Sequence, residues 1–169
     1  MIGTPHMLTG AAIGKLTRRP HLALPIAFAS HFLLDAIPHM DERALFGVAG
    51  GRVTLGEVSM AVVDIVGGIA LVLWAVGHQP HRRTMLWAAF AAVVIDLIDN
   101  VPPLRGWFRA WSLTSPLSAF HHGIQLGMAR SQWAVGLGTQ IAVIILALWV
   151  LRSRRGDAHT DEIAGQANV

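Results

Sequence analysis

Residues 30–41 read SHFLLDAIPHMD, and the reading of the whole chain turns on them. His31, Asp35 and His39 recur every four residues, so on a helix they share one face. Phe32, Leu33, Leu34, Ala36 and Ile37 between them are apolar, and Asp41 follows Pro38, which disturbs the helix. An imidazole–carboxylate–imidazole row inside an apolar segment is costly unless something pairs those groups. A divalent cation does so, because neutral imidazole and carboxylate are both good ligands. The alternative is a helix that ends at a membrane surface with polar residues at its lip.

The surrounding composition is that of a membrane protein. The 169 residues are 53% hydrophobic and only 14% charged, with a mean hydropathy of +0.51. A soluble domain carries about a quarter charged residues. The net charge of +3 is small, and the basic residues sit in short clusters between apolar runs. That pattern fits topology signals and argues against a nucleic-acid partner. With no cysteine, disulfides and thiolate metal sites are excluded. The N-terminus lacks the basic region and cleavage site of a signal peptide.

Working outward, the expectation is an all-α integral membrane bundle of about five membrane-embedded helices in one domain, residues 1–152. The first, residues 5–17, is short or re-entrant, since a square crossing needs about 20 residues. The second covers residues 21–39, with Pro25 near its start. A polar Gly-rich loop fills residues 40–54. The third span covers 55–77, and the fourth covers 85–101 and stops at Pro102-Pro103. Residues 104–131 carry aromatic patches of an interfacial segment. The fifth span covers 132–151, and residues 153–169 form a polar, disordered tail.

Basic residues set the orientation. Lys15, Arg18, Arg19, Arg82, Arg83, Arg152, Arg154 and Arg155 fall on one side, against Arg43, Arg52, Arg105, Arg109 and Arg130 on the other. The positive-inside rule then puts the tail in the cytoplasm and the N-terminus outside. This count used only Lys and Arg. It nevertheless sends His6, His31, Asp35, His39, Asp41, Asp64, Asp96, Asp99, His121 and His122 toward the outer side, from five separate segments. Asp64 sits about 14 Å deep at 1.5 Å per residue, with no basic residue in its own span. Of Asp96 and Asp99, the former is deeper and is the preferred site residue. His121 and His122 are adjacent, so on a helix they diverge by about 100° and one of them is the ligand. Each group also has a bland reading: a solvated end for His6, a hydrogen bond to a neighbouring helix for Asp64.

TPHMLTGAAIG near the N-terminus, SHFLLDAIPHMD, DLIDN and FHHGIQ together resemble the small bacterial and archaeal proteins grouped as membrane-bound metal-dependent hydrolases. These are regarded as distant relatives of zinc-dependent phospholipase C. The resemblance covers roughly residues 4–125. It implies a multi-pass helical protein of the bacterial or archaeal cytoplasmic (inner) membrane with a metal site built from His and Asp. By position, His6, His31, Asp35, His39 and Asp41 match the N-terminal cluster, and Asp96 and His121 the later polar positions.

The expected chemistry is metal-assisted hydrolysis of a lipid or other amphiphilic (phospho)ester at the outer face. Zinc is the expected ion for mixed His/Asp ligands, with manganese second. Asp64 or Asp96 is the expected general base. Phe32, Trp107, Phe108 and Phe120 are the expected pocket lining. Membrane lipid is the expected partner, beside subunits of a larger membrane complex or further copies of the chain. Two rivals stand beside this reading. One is an accessory subunit holding haem or a pigment, the other a proton- or ion-coupled transporter using Asp64, Asp96 and His31.

Overall fold

The structure, a computed structural model, describes residues 2–40, 54–101, 103–126 and 132–153. These fold into eight α-helices, with no strand among the described residues: α1 (Gly3–Thr17), α2 (Pro20–Asp35), α3 (Leu55–Val76), α4 (Arg82–Ala91), α5 (Val94–Asn100), α6 (Leu104–Ala110), α7 (Ser115–Ile124) and α8 (Trp133–Arg152). Most of the 40–54 loop, including Asp41, and nearly all of the tail lie outside the described residues.

α1 is the central post, packed against α2, α3, α4 and α8. Met7, Leu8, Ala11 and Ala12 meet Val72, Ala75 and Val76 of α3, Met85 and Ala89 of α4, and Ala147 and Leu151 of α8. Between α2 and α4 the contact is almost wholly alanine: Ala23, Ala27, Ala88, Ala91 and Ala92. Small residues let helix backbones approach closely where lipid offers no hydrophobic drive between helices. Gly10 and Gly14 take this furthest. A Cβ at Gly10 would lie 2.4 Å from the Ala88 carbonyl oxygen, and one at Gly14 would lie 2.6 Å from Met85 Cα. Gly10→Ala should therefore push α1 off α4 and destabilise the protein by about 1–3 kcal/mol. Gly67→Ala, where a Cβ meets nothing within 4 Å, should leave the melting temperature in detergent nearly unchanged. Equal melting of the two variants would contradict this packing.

Two helices, α3 and α8, are long and apolar enough to cross a membrane, or three if the bent run Arg82–Asn100 plus Leu104–Ala110 is one broken span. Both expose apolar rows, among them Val62, Val66 and Ile69 on α3 and Ile141 and Ile145 on α8. Five full spans are not what these helices show. α1 and α2 have 15 and 16 residues, about 22–24 Å at 1.5 Å per residue against about 30 Å of hydrocarbon. α2 stops at Asp35, before Pro38. The expected fourth span breaks at Ala92-Val93 into α4 and α5, without a proline or glycine at the break. The 104–131 stretch holds α6 and α7, with Trp107 and Trp111 exposed and stacked at 5.1 Å. Phe108 is core, not pocket lining.

The charges separate along the fold. Lys15, Gln79 and the end of α8 meet at one end, where Lys15 Nζ donates to the Leu151 and Ser153 carbonyls and Arg152 lies over Trp74. His6, His31, Asp35, Asp96, Asp99 and His121 gather toward the other.

Candidate metal centre

Four helices deliver the site. α1 brings His6, α2 brings His31 and Asp35 one turn apart, α5 brings Asp96 and Asp99, and α7 brings His121. His6, His31, Asp35, Asp99 and His121 are fully buried. Asp35 is the hub. Its Oδ1 lies 3.2 Å from His6 Nε2, and its Oδ2 lies 3.1 Å from His31 Nε2 and 3.3 Å from His121 Nε2. Asp96 Oδ1 lies 3.4 Å from His121 Nε2 and 3.7 Å from His31 Nε2.

The orientation of two of these rings is fixed from behind. His31 Nδ1 is 2.7 Å from the Ala92 carbonyl oxygen. A carbonyl only accepts, so Nδ1 carries the proton and Nε2 points its lone pair into the cluster. Ala92 is the C-cap of α4, and carbonyls at a helix end lack an intrahelical donor. The helix break thus supplies the acceptor that orients His31. On the other side, His121 Nδ1 donates to Asp99 Oδ2 at 3.0 Å. Asp99 is held in turn by Ser118 Oγ (2.8 Å) and Arg109 Nε (2.8 Å). This is the carboxylate–histidine arrangement found behind metal ligands. Both Nε2 atoms then face each other at 3.1 Å. Two neutral imidazoles cannot share that space lone pair to lone pair; a proton or a metal cation must lie between them.

The donor spacings suit a small cation. A tetrahedron with bonds of about 2.0–2.1 Å has edges of about 3.3–3.4 Å. His31 Nε2, His121 Nε2 and Asp35 Oδ2 lie 3.1–3.3 Å from one another, close to three such edges, while Asp96 Oδ1 approaches only the two nitrogens, at 3.4 and 3.7 Å, and shares no metal-capable group with Asp35. His6 adds a separate argument. It is wholly buried, its Nδ1 has no hydrogen-bond partner, and its Nε2 has only the 3.2 Å approach to Asp35 Oδ1, without hydrogen-bond alignment, a state that buried polar groups rarely tolerate. It stacks on His31 with centroids 4.1 Å apart. The groups His6–His31–Asp96 and His31–Asp35–His121 can each hold a metal ion.

Without an ion, the space between the imidazoles takes a proton. Burial disfavours a charged His121, but Asp35, Asp96 and Asp99 outweigh it and push His121 up to about 10. Gln125 Nε2 also reaches His121 Nε2, at 3.2 Å.

Comparison of the chain with family models, curated proteins and solved structures returns no match. The reading of the site therefore rests on its own geometry.

Not every candidate converges here. His39 is buried, but its Nδ1 donates to the Ile37 carbonyl at 2.8 Å, and its backbone N–H bonds Leu126. It belongs to none of the metal-capable groups among the described residues. Asp64 is engaged with the N-terminus of α1 and joins none of them either. His122, beside His121, is exposed; its Nδ1 lies 2.9 Å from the Ser118 carbonyl and 3.2 Å from Asp99 Oδ2, its Nε2 meets Arg109, and with Asp99 and His121 it makes a third metal-capable group, behind His121. Asp99, Arg109 and Ser118 were not singled out from the sequence as supports. The available signal was the i,i+3 pair Ser118/His121, which puts both on the face of α7 that meets Asp99.

Proposed function

We propose that the chain is a metal-dependent hydrolase of the membrane, cleaving an ester or phosphoester of a lipid or another amphiphile. The observation that carries the metal is the pair of Nε2 atoms facing each other beside two carboxylates, each imidazole locked in its tautomer from behind. His31, Asp35 and His121 hold the ion, His6 stands at its flank, and zinc suits this mixed donor set. When bound, such an ion supplies Lewis acidity, lowering the pKa of water to about 7 and polarising an ester oxygen.

The residues around it divide the remaining work. The Asp96 side chain is 27% exposed while the rest of the donor set is sealed. It lies on the open side, where a carboxylate takes a proton from attacking water. The Gln125 amide, at the same opening, donates a hydrogen bond to a substrate oxygen. Phe32 lies against His31 and His121, and exposed Phe120 packs on Phe32 with ring centroids 5.5 Å apart; the two rings offer an apolar seat to an acyl chain. A haem between histidines is disfavoured, because His6 and His31 stack directly on each other.

Elemental analysis of the detergent-purified protein, with hydrolysis of phospholipid in mixed micelles, tests this reading. About one zinc per chain and turnover abolished by chelation are expected. Protein that binds no divalent ion would sink it. Binding must also displace the His121 proton, and a raised pKa means that proton is present throughout the neutral range. Affinity should therefore rise with pH, about tenfold per unit between pH 6 and 8, with about one proton released per ion. Calorimetry in buffers of different ionisation enthalpy reads that proton, and pH-independent binding would contradict the assignment.

A further inference from the structure

α1 starts without a cap of its own: Ile2 precedes it and makes no side-chain cap hydrogen bond. The first N–H groups of a helix need external acceptors. Here they are Gly3 and Thr4, since Pro5 has none. Asp64, on the membrane-crossing helix α3, takes both. Gly3 N donates to Oδ2 at 2.6 Å, and Thr4 N lies 3.2 and 3.3 Å from the two carboxylate oxygens. Thr4 Oγ1 adds a further contact, 2.6 Å from Oδ1 and 3.0 Å from the Asp64 carbonyl oxygen. The carboxylate also faces the positive end of the helix dipole.

Close packing locks the same joint. A Cβ at Gly68, one turn along α3, would fall 2.7 Å from Thr4 Oγ1 and 2.3 Å from Met7 Cε. His6 lies two residues beyond Thr4, about 3 Å along the axis. Its ring makes no aligned hydrogen bond, only the 3.2 Å approach of Nε2 to Asp35 Oδ1. Where His6 stands relative to Asp35 is thus decided by where α1 stands, and Asp64 fixes that.

We propose that Asp64 is the positioning residue of the metal centre, setting the axial seat of α1 and through it the place of His6. This rests on the metal-binding reading above. It gives the intramembrane carboxylate a role at the site without contact with the ion.

The test is a cobalt(II) titration of the full chain in detergent, following affinity and the visible d–d bands. Asp64→Asn keeps the size but turns an amide toward the N–H donors of α1. It should weaken cobalt binding about 10–100-fold, the range for outer-shell partners, and shift the bands in the same sense as His6→Ala. The double variant should bind no more weakly than the weaker single variant, because both changes remove the same contribution. Thr4→Val, which deletes one hydroxyl and keeps the backbone bonds, should show a smaller loss in the same direction, and it decides the matter if Asp64→Asn does not fold. Asp64→Asn with wild-type affinity and spectrum but a lower melting temperature would overturn the proposal. So would effects of Asp64→Asn and His6→Ala that multiply. Wild-type protein that binds no cobalt would instead overturn the metal reading itself.

Discussion

Asp35→Ala is expected to strip the protein of its metal and to lower its melting temperature in the same step. Asp35 contacts His6, His31 and His121 at 3.1–3.3 Å, in a fully buried setting. Its loss removes a ligand and also the counter-charge around which three imidazoles are gathered. Breaking a buried ionic cluster by removing one partner costs about 3–5 kcal/mol, a drop of roughly 6–20 °C for a chain of this size. The metal loss should exceed the 10–100-fold that removal of an outer-shell partner causes. Asp35→Asn, which keeps the shape and loses the charge, should fall between. His78→Ala, an exposed histidine at the opposite end of the fold, should change neither quantity. Full metal content in Asp35→Ala, or loss of metal without loss of stability, would show that the cluster is not held together by an ion.

The helical class and the gathering of several His and Asp residues into a candidate site were open to reading from spacing and polarity. His31 and Asp35 do share a face, because α2 runs unbroken through both. The periodicity failed where the helix did: Ala36 is the C-cap, so His39, four residues past Asp35, no longer points the same way. The 100° rule separated His121 from His122, since α7 continues through both. Asp64 looked functional because of its depth. Its partners are backbone N–H groups of a helix 60 residues away in sequence, and only the packing of α1 on α3 reveals them. Depth also favoured Asp96 over Asp99. Both carboxylates of α5 meet His121: Asp96 approaches its Nε2 among the donors, and Asp99 stands behind it at Nδ1. No residue at the Ala92-Val93 break announces it, so one span of 17 residues was the natural reading where two short helices occur. The shortness of α1 was visible in the chain, whereas α2 was expected to run to residue 39 and ends at Asp35; both fall short of a bilayer.

Asp99→Asn should weaken metal binding by about as much free energy as it costs the fold, and the reason is a tautomer. Asp99 Oδ1 accepts from Arg109 Nε and Ser118 Oγ, and Oδ2 accepts from His121 Nδ1. An asparagine there has one oxygen. Two donors, one of them a guanidinium, claim it at the Oδ1 position. The amide NH2 then occupies the place of Oδ2 and faces His121 Nδ1. A donor facing Nδ1 favours the tautomer with its lone pair there and its proton on Nε2. That proton points at His31 and Asp35, where the ligand lone pair is required. Metal affinity should fall about 10–100-fold. The stability loss should stay at about 1–3 kcal/mol, the range for losing charge-assisted hydrogen bonds of a buried group, since Arg109 is half-exposed and can turn to solvent. Asp99→Ala should be less damaging to affinity than Asp99→Asn, because it removes the acceptor without imposing the wrong tautomer. Cobalt titrations of both variants beside their melting curves give the comparison. Binding in Asp99→Asn equal to the wild type, or weaker in Asp99→Ala than in Asp99→Asn, would mean that His121 is not held as a ligand by the proton on its Nδ1.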